Sequence, residues 1–134
     1  MFDSLRKLIG RPATPGRRGE DAAAGFLKKQ GYRVIARNLK DRLGEIDLLC
    51  LSPDGNCLVI VEVKSALADA AGPSPELRVG RHKQRKLTAL AMRLAQRHRL
   101  AGKAIRFDVI GVTLCDQQQP QVRHYIGAFE AAWV

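Results

Sequence analysis

Two short charged stretches sit at matching ends of two apolar runs: Glu45-Ile46-Asp47-Leu48 and Val61-Glu62-Val63-Lys64. Between the runs lies Ser52-Pro53-Asp54-Gly55-Asn56, and Asp-Gly between apolar strands is a strong hairpin signal. If the turn is centred on Asp54-Gly55, Asp47 lies opposite Glu62 and Glu45 opposite Lys64. The two-residue period of a strand then puts all four on one face, at the end far from the turn. The other face carries Ile46, Leu48, Cys50, Val59, Val61 and Val63; nearer the turn the first face is also apolar, with Leu49, Leu51, Leu58 and Ile60. Opposed carboxylates destabilise a sheet. At about 5 Å and an effective dielectric near 20 they repel by roughly 3 kcal/mol. A divalent cation reverses that sign, and hard oxygen ligands suit Mg²⁺ or Mn²⁺. A lysine beside such a site can orient or help deprotonate a water, or stabilise a phosphorane-like charge. These are the requirements of phosphodiester hydrolysis. The alternative is a self-neutralised surface cluster, in which Asp47 and Glu62 pair with Lys64 and a neighbouring arginine.

The rest of the chain reads as the frame for this hairpin. Residues 1–16 end in Arg-Pro-Ala-Thr-Pro-Gly and form a flexible basic arm, leaving 17–134 as one domain. Arg17 to Gln30 is helical, with apolar Ala23, Ala24, Phe26 and Leu27 and a left-handed stop expected at Gly31. Tyr32–Leu39, Ile46–Leu51 and Leu58–Val63 are strands, and 65–80, with two glycines and two prolines, is a mobile loop. A helix from Arg81 to Ala101 places Leu87, Leu90, Ala91, Leu94 and Ala101 on one face. Ala104–Leu114 and Val122–Ile126 are the last strands. The order implies an α/β fold, a mixed β-sheet flanked by helices.

Among the 134 residues, 23 Lys and Arg against 13 Asp and Glu give a formal charge of +10. A field of that size on one small domain argues for a polyanion, with nucleic acid the first candidate. Cys50, Cys57 and Cys115 form no zinc-like spacing, and a scattered odd set fits a reducing compartment. No apolar run approaches a membrane span or a signal peptide, so the expected location is cytoplasmic and no membrane partner is expected.

Four segments in order, Gly19-Glu20, Gly44-Glu45-Ile46-Asp47-Leu48, Val61-Glu62-Val63-Lys64 and Arg106-Phe107-Asp108-Val109-Ile110, resemble the YraN-like family. That family is a bacterial branch of the PD-(D/E)XK, restriction-endonuclease-like and Holliday-resolvase-like superfamily, and the likeness runs over about residues 17–130. The resemblance implies a restriction-endonuclease-like core, Asp47 and Glu62 as metal ligands and Lys64 as the catalytic lysine. It also implies that Glu20 can be brought to the metal by the first helix, and that Lys83 can contact a substrate phosphate. The chain departs from the pattern at Ala66, where the family usually has an arginine.

Other positions carry bland readings of their own. Glu20, in the first turn of its helix, is favoured there by the helix dipole as well as by the metal reading. Glu45 is expected to hold Lys64 by a salt bridge, and Asp108 to make a structural hydrogen bond. Arg81, Lys83, Arg85 and Lys86 crowd a helix start that the dipole reserves for acids, which reads as phosphate contact. The expectation is a Mg²⁺- or Mn²⁺-dependent nuclease, DNA favoured over RNA, with a twofold homodimer suggested by analogy with junction-cutting enzymes. The rival is a nucleic-acid-binding module of the same fold without catalysis in isolation.

Overall fold

In the computed structural model, which describes residues 15–67, 79–97 and 102–131, the Asp54-Gly55 turn forms as expected. Gly55 has φ 77° and its N–H reaches the Ser52 carbonyl at 2.8 Å. The Asp54 carboxylate accepts from the Ser52 hydroxyl at 2.6 Å and from the Asn56 N–H at 2.9 Å. The turn joins β2 (Gly44–Leu51) to β3 (Cys57–Leu67). Their antiparallel register runs from Leu51↔Leu58 to Leu48↔Val61, the alignment the turn dictates. β1 (Arg33–Asp41) pairs with β2 through a second tight turn, Asp41↔Gly44, with Gly44 at φ 147°.

α1 (Pro15–Lys29) begins on a proline, whose fixed φ and missing N–H suit the first helical position. It ends where Gly31, at φ 92°, lets its own N–H reach Lys28 O at 3.0 Å and the Tyr32 N–H reach Leu27 O at 3.0 Å. α2 (Arg81–Arg97) crosses over from β3 to β4 (Ala104–Leu114), which pairs parallel with β3 from Cys57↔Ala104 to Leu67↔Leu114. β5 (Gln121–Phe129) adds an antiparallel edge, and the sheet order is β1-β2-β3-β4-β5.

The central strands are apolar on both faces because each face has its own helix. α2 packs Leu87, Leu90, Ala91 and Leu94 against Ile46, Leu49, Ile60 and Phe107. α1 packs Ala23, Ala24 and Leu27 against Leu48, Cys50, Val59, Val61 and Ile110. This is the α/β mixed sheet flanked by helices expected from the chain order, and among the described residues no helix is long and apolar enough to cross a membrane.

Several boundaries move. Pro15 and Gly16 are helical rather than part of an arm, which leaves Glu20 beyond the first turn of α1. β3 runs through 65–67, and the rest of the expected loop, 68–78, lies outside the described residues, as do 1–14 and the expected helix end at 98–101. Simple alternation also fails in β2, where Ile46 packs under α2 with Leu49 while Leu48 lies under α1. The switch falls at Asp47, which is flanked by the partners of Arg37 and Leu39; between those two, Asn38 has φ 54°, outside the strand region.

Gly19 sets how closely α1 approaches β3. A Cβ there would sit 1.8 Å from Ser65 Oγ and 2.9 Å from Ser65 Cβ, whereas Gly25 on the same helix faces open space. Gly19→Ala is expected to destabilise the protein by about 1–3 kcal/mol. Gly25→Ala is expected to stabilise it by roughly 0.5–1 kcal/mol. Urea unfolding of both variants checks the pair, and equal effects would contradict the close approach.

Candidate active site

The β2–β3 ladder gives out after Leu48↔Val61, while β3 continues with β4 alone on its other side. In the gap, Asp47 Oδ2 accepts the Val63 N–H at 2.8 Å, a side chain standing where a strand carbonyl would otherwise serve. Glu62, 3% exposed, turns toward the α2 side of the sheet. Its Oε1 accepts from Lys83, in the first turn of α2, and lies 3.5 Å from Lys64 Nζ. Asp47, Glu62 and Lys64 are thus together, and Glu20 on α1 is close enough for its charge to act on Asp47.

The electrostatics follow from this packing. Burial, and then the Glu62 charge, push the Asp47 carboxyl up to about 7; Glu20 adds to the rise, and the Val63 N–H and Lys83 oppose it. For Lys83, burial favours the neutral amine, but the Glu62 hydrogen bond and charge, with Asp47 and Glu45, outweigh it and leave the ammonium raised above its ordinary range. The hydrogen bonds fall on Asp47 Oδ2 and Glu62 Oε1, leaving Asp47 Oδ1 and Glu62 Oε2 without one among the described residues. Among those residues no group of three or more His, Cys, Asp or Glu is disposed to hold a metal. Asp47 and Glu62 are the acids brought together here, and Glu20, expected as a third ligand, reaches them only as a charge acting from α1.

Glu45 does not face Lys64. Because β2 has left β3 at this point, Glu45 lies opposite Lys40 on β1, with Lys40 Nζ 3.7 Å from Glu45 Oε2. Lys83, expected as a phosphate contact, is also the hydrogen-bond partner of Glu62. The signal was in the topology: a helix crossing between parallel strands starts near the carboxyl end of the first, where Glu62 and Lys64 stand. Arg81, Arg85 and Lys86 are exposed along the start of α2. Lys86, with Gly44, Glu45, His82, Lys83 and Leu87, lines a cavity of about 290 Å³ beside the carboxylates.

Asp108 provides the contrast. It is fully buried on the α1 side, chelated by Arg106 through two 2.8 Å contacts, with His124 Nε2 at 2.7 Å and the Gly127 N–H at 3.0 Å. Burial pushes its carboxyl up, but the His124, Arg106 and Gly127 hydrogen bonds win and hold it below the ordinary range. Arg106 is completed by the Tyr32 hydroxyl at 2.7 Å. The expected structural hydrogen bond at Asp108 is part of a network of five residues, which sequence spacing did not suggest.

The raised Asp47 makes a pH prediction. Between its ordinary value near 3.8 and about 7 the fold holds a proton that the unfolded chain releases, so this carboxyl lowers metal-free stability as pH rises through that window. Asp47→Asn keeps an acceptor for the Val63 N–H and removes the penalty. In EDTA at pH 8 the variant is expected to melt roughly 3–10 °C above the wild type, with the gap closing toward pH 5. Thermal melts across that range check it, and a pH-independent gap would contradict the assignment.

Comparison with known proteins gives relatives along most of the chain. A UPF0102 protein of Anaeromyxobacter dehalogenans is 45% identical over 121 residues, covering 90% of this chain and 87% of that one. A UPF0102 protein of Pelobacter propionicus is 39% identical over 118 residues, covering 88% and 84%. Among solved structures, an EndoMS–double-stranded DNA complex aligns over 74% of this chain and 37% of its own, with a TM-score of 0.40 and 20% identity. SfsA of Pyrococcus furiosus in complex with Ca²⁺ aligns over 84% and 62%, with a TM-score of 0.35 and 13% identity. Both are longer than the aligned region, and this chain spans less than two thirds of either. Residues 19–112, which hold most of α1, the β2–β3 hairpin, α2 and most of β4, match the model of the uncharacterised protein family UPF0102, and the chain belongs to that family.

Proposed function

We propose that this protein is a Mg²⁺- or Mn²⁺-dependent nuclease that hydrolyses phosphodiester bonds in DNA. The observation that carries the reading is the pair Asp47 and Glu62, held together at the open end of the β2–β3 hairpin with Lys64 beside Glu62. Asp47 Oδ1 and the Glu62 carboxylate would hold the ion, with the Val63 carbonyl as a further donor and the Glu20 charge acting from α1. When bound, the ion supplies Lewis-acid polarisation of the phosphate and a water of lowered pKa.

The chain's own groups do the rest. Val63 N–H fixes the Asp47 carboxylate, so its free oxygen is already aimed when substrate arrives. Lys64, its side chain about a quarter exposed, keeps its ammonium beside Glu62, where it orients the attacking water and stabilises charge developing on the phosphate. Arg81, Arg85 and Lys86, on a helix with no acid in its first turn, hold the flanking phosphates. The formal charge of +10 draws the polyanion to this surface. Branched or processed DNA of repair and recombination is among the substrates this reading admits.

The second reading, a nucleic-acid-binding module without catalysis in isolation, is favoured by one observation: Glu62 Oε1 is already neutralised by Lys83 and Lys64. A panel of single-stranded, duplex, flapped and four-way-junction DNA, with Mn²⁺, Mg²⁺ or EDTA, separates the two. The nuclease reading expects metal-dependent cleavage that falls at least about 100-fold in Asp47→Ala and Lys64→Ala. The module expects salt-sensitive binding and no cleavage with any metal. Full cleavage by Asp47→Ala protein would remove the proposal.

A further inference from the structure

Lys83 is placed where a resting site needs a cation. Its ammonium donates to Glu62 Oε1 and its charge acts on Asp47 and Glu45 as well, so one side chain from α2 answers three acids from β2 and β3. Among the described residues the other cation beside the 3% exposed Glu62 is Lys64, which stands at 3.5 Å, beyond good hydrogen-bonding distance. Lys83 itself is not locked in. Its side chain is 42% exposed, and it borders the cavity of about 290 Å³ whose other walls are Gly44, Glu45, His82, Lys86 and Leu87. The ammonium therefore has somewhere to go when Glu62 takes another cation, an open cavity whose other charged walls are Lys86 and Glu45.

We infer that Lys83 is the resident counter-cation of the carboxylate pair, exchanged for the divalent ion when the site loads and released into the adjoining cavity to meet a phosphate of the substrate. This rests on the metal-dependent reading above and adds a coupling to it. Metal binding displaces Lys83 from Glu62, and a phosphate in the cavity holds Lys83 away from Glu62. Each ligand therefore tightens the other by the same factor. The lysine protects the folded protein from its own acids and also makes metal uptake sensitive to substrate.

The test is Mn²⁺ affinity, read by electron paramagnetic resonance or calorimetry on the full chain, without DNA and then with a non-cleavable phosphorothioate duplex. Lys83→Met is expected to bind Mn²⁺ about 5- to 10-fold more tightly than wild type without DNA, because no ammonium competes for Glu62. It is also expected to lose most of the further tightening that DNA produces in the wild type. Lys86→Met removes the same charge from the same cavity without touching Glu62, and is expected to leave Mn²⁺ affinity within about twofold of wild type. Lys83→Arg, which keeps a cation on Glu62, is expected to stay close to wild type and guards against a folding artefact. Equal tightening by Lys83→Met and Lys86→Met would reduce the effect to general charge and overturn the inference. So would unchanged or weaker binding by Lys83→Met. Absence of Mn²⁺ binding in wild type and Lys83→Met alike overturns the metal reading, and this inference with it; binding that needs Asp47 but ignores Lys83 overturns this inference alone.

Discussion

Where β2 and β3 part company after Leu48 and Val61, a backbone N–H is left without a strand partner, and the Asp47 carboxylate takes it. The site depends on that substitution of a side chain for a ladder bond. It keeps the open end of the hairpin satisfied, fixes one oxygen of Asp47, and brings its charge against Glu62. Had the ladder continued, Val63 would have bonded to the β2 main chain and Asp47 would have been free to rotate away. The divergence also sends Glu45 to β1 and leaves Glu62 open to α2. One local separation of two strands thus decides which charges meet.

The two faces of the sheet treat buried acids differently. Under α1, Asp108 has a donor for every direction it can accept from, and hydrogen bonding outweighs burial. Asp47 on β2 has one backbone donor and a like charge nearby, and burial wins. A carboxylate satisfied by its own fold has nothing to offer a ligand, whereas one left short of positive charge stores free energy that a cation can release. The sheet therefore carries one acid that holds its edge together and another left short of positive charge.

Helix placement completes the arrangement. α1 reaches the end of β3 because Gly19 presents no side chain to Ser65, and this close approach brings the Glu20 charge to bear on Asp47. α2 starts where the crossover from β3 allows, which puts Lys83 over Glu62 and leaves Arg81, Arg85 and Lys86 facing outward. Acids come from the strands and α1, and the cations that balance them come mostly from α2.

By itself the sequence determined the hairpin, its register near the turn, the helix stop at Gly31 and the clustering of Asp47, Glu62 and Lys64. All of these follow from local rules: a turn that needs Asp-Gly, a strand period of two, a left-handed glycine. The same local rules break down at one point of the hairpin. Strict alternation placed Ile46 with Leu48 and Glu45 against Lys64, and both fail at Asp47, where the ladder ends and neighbouring Asn38 leaves the strand region. Only tertiary structure decided that Lys83, twenty-one positions along the chain from Glu62, would be its partner, and that Arg106, His124 and Gly127 would converge on Asp108 with Tyr32 holding Arg106. Those contacts depend on how strands from distant segments pair and how a helix packs across them, and no periodicity within one segment encodes that.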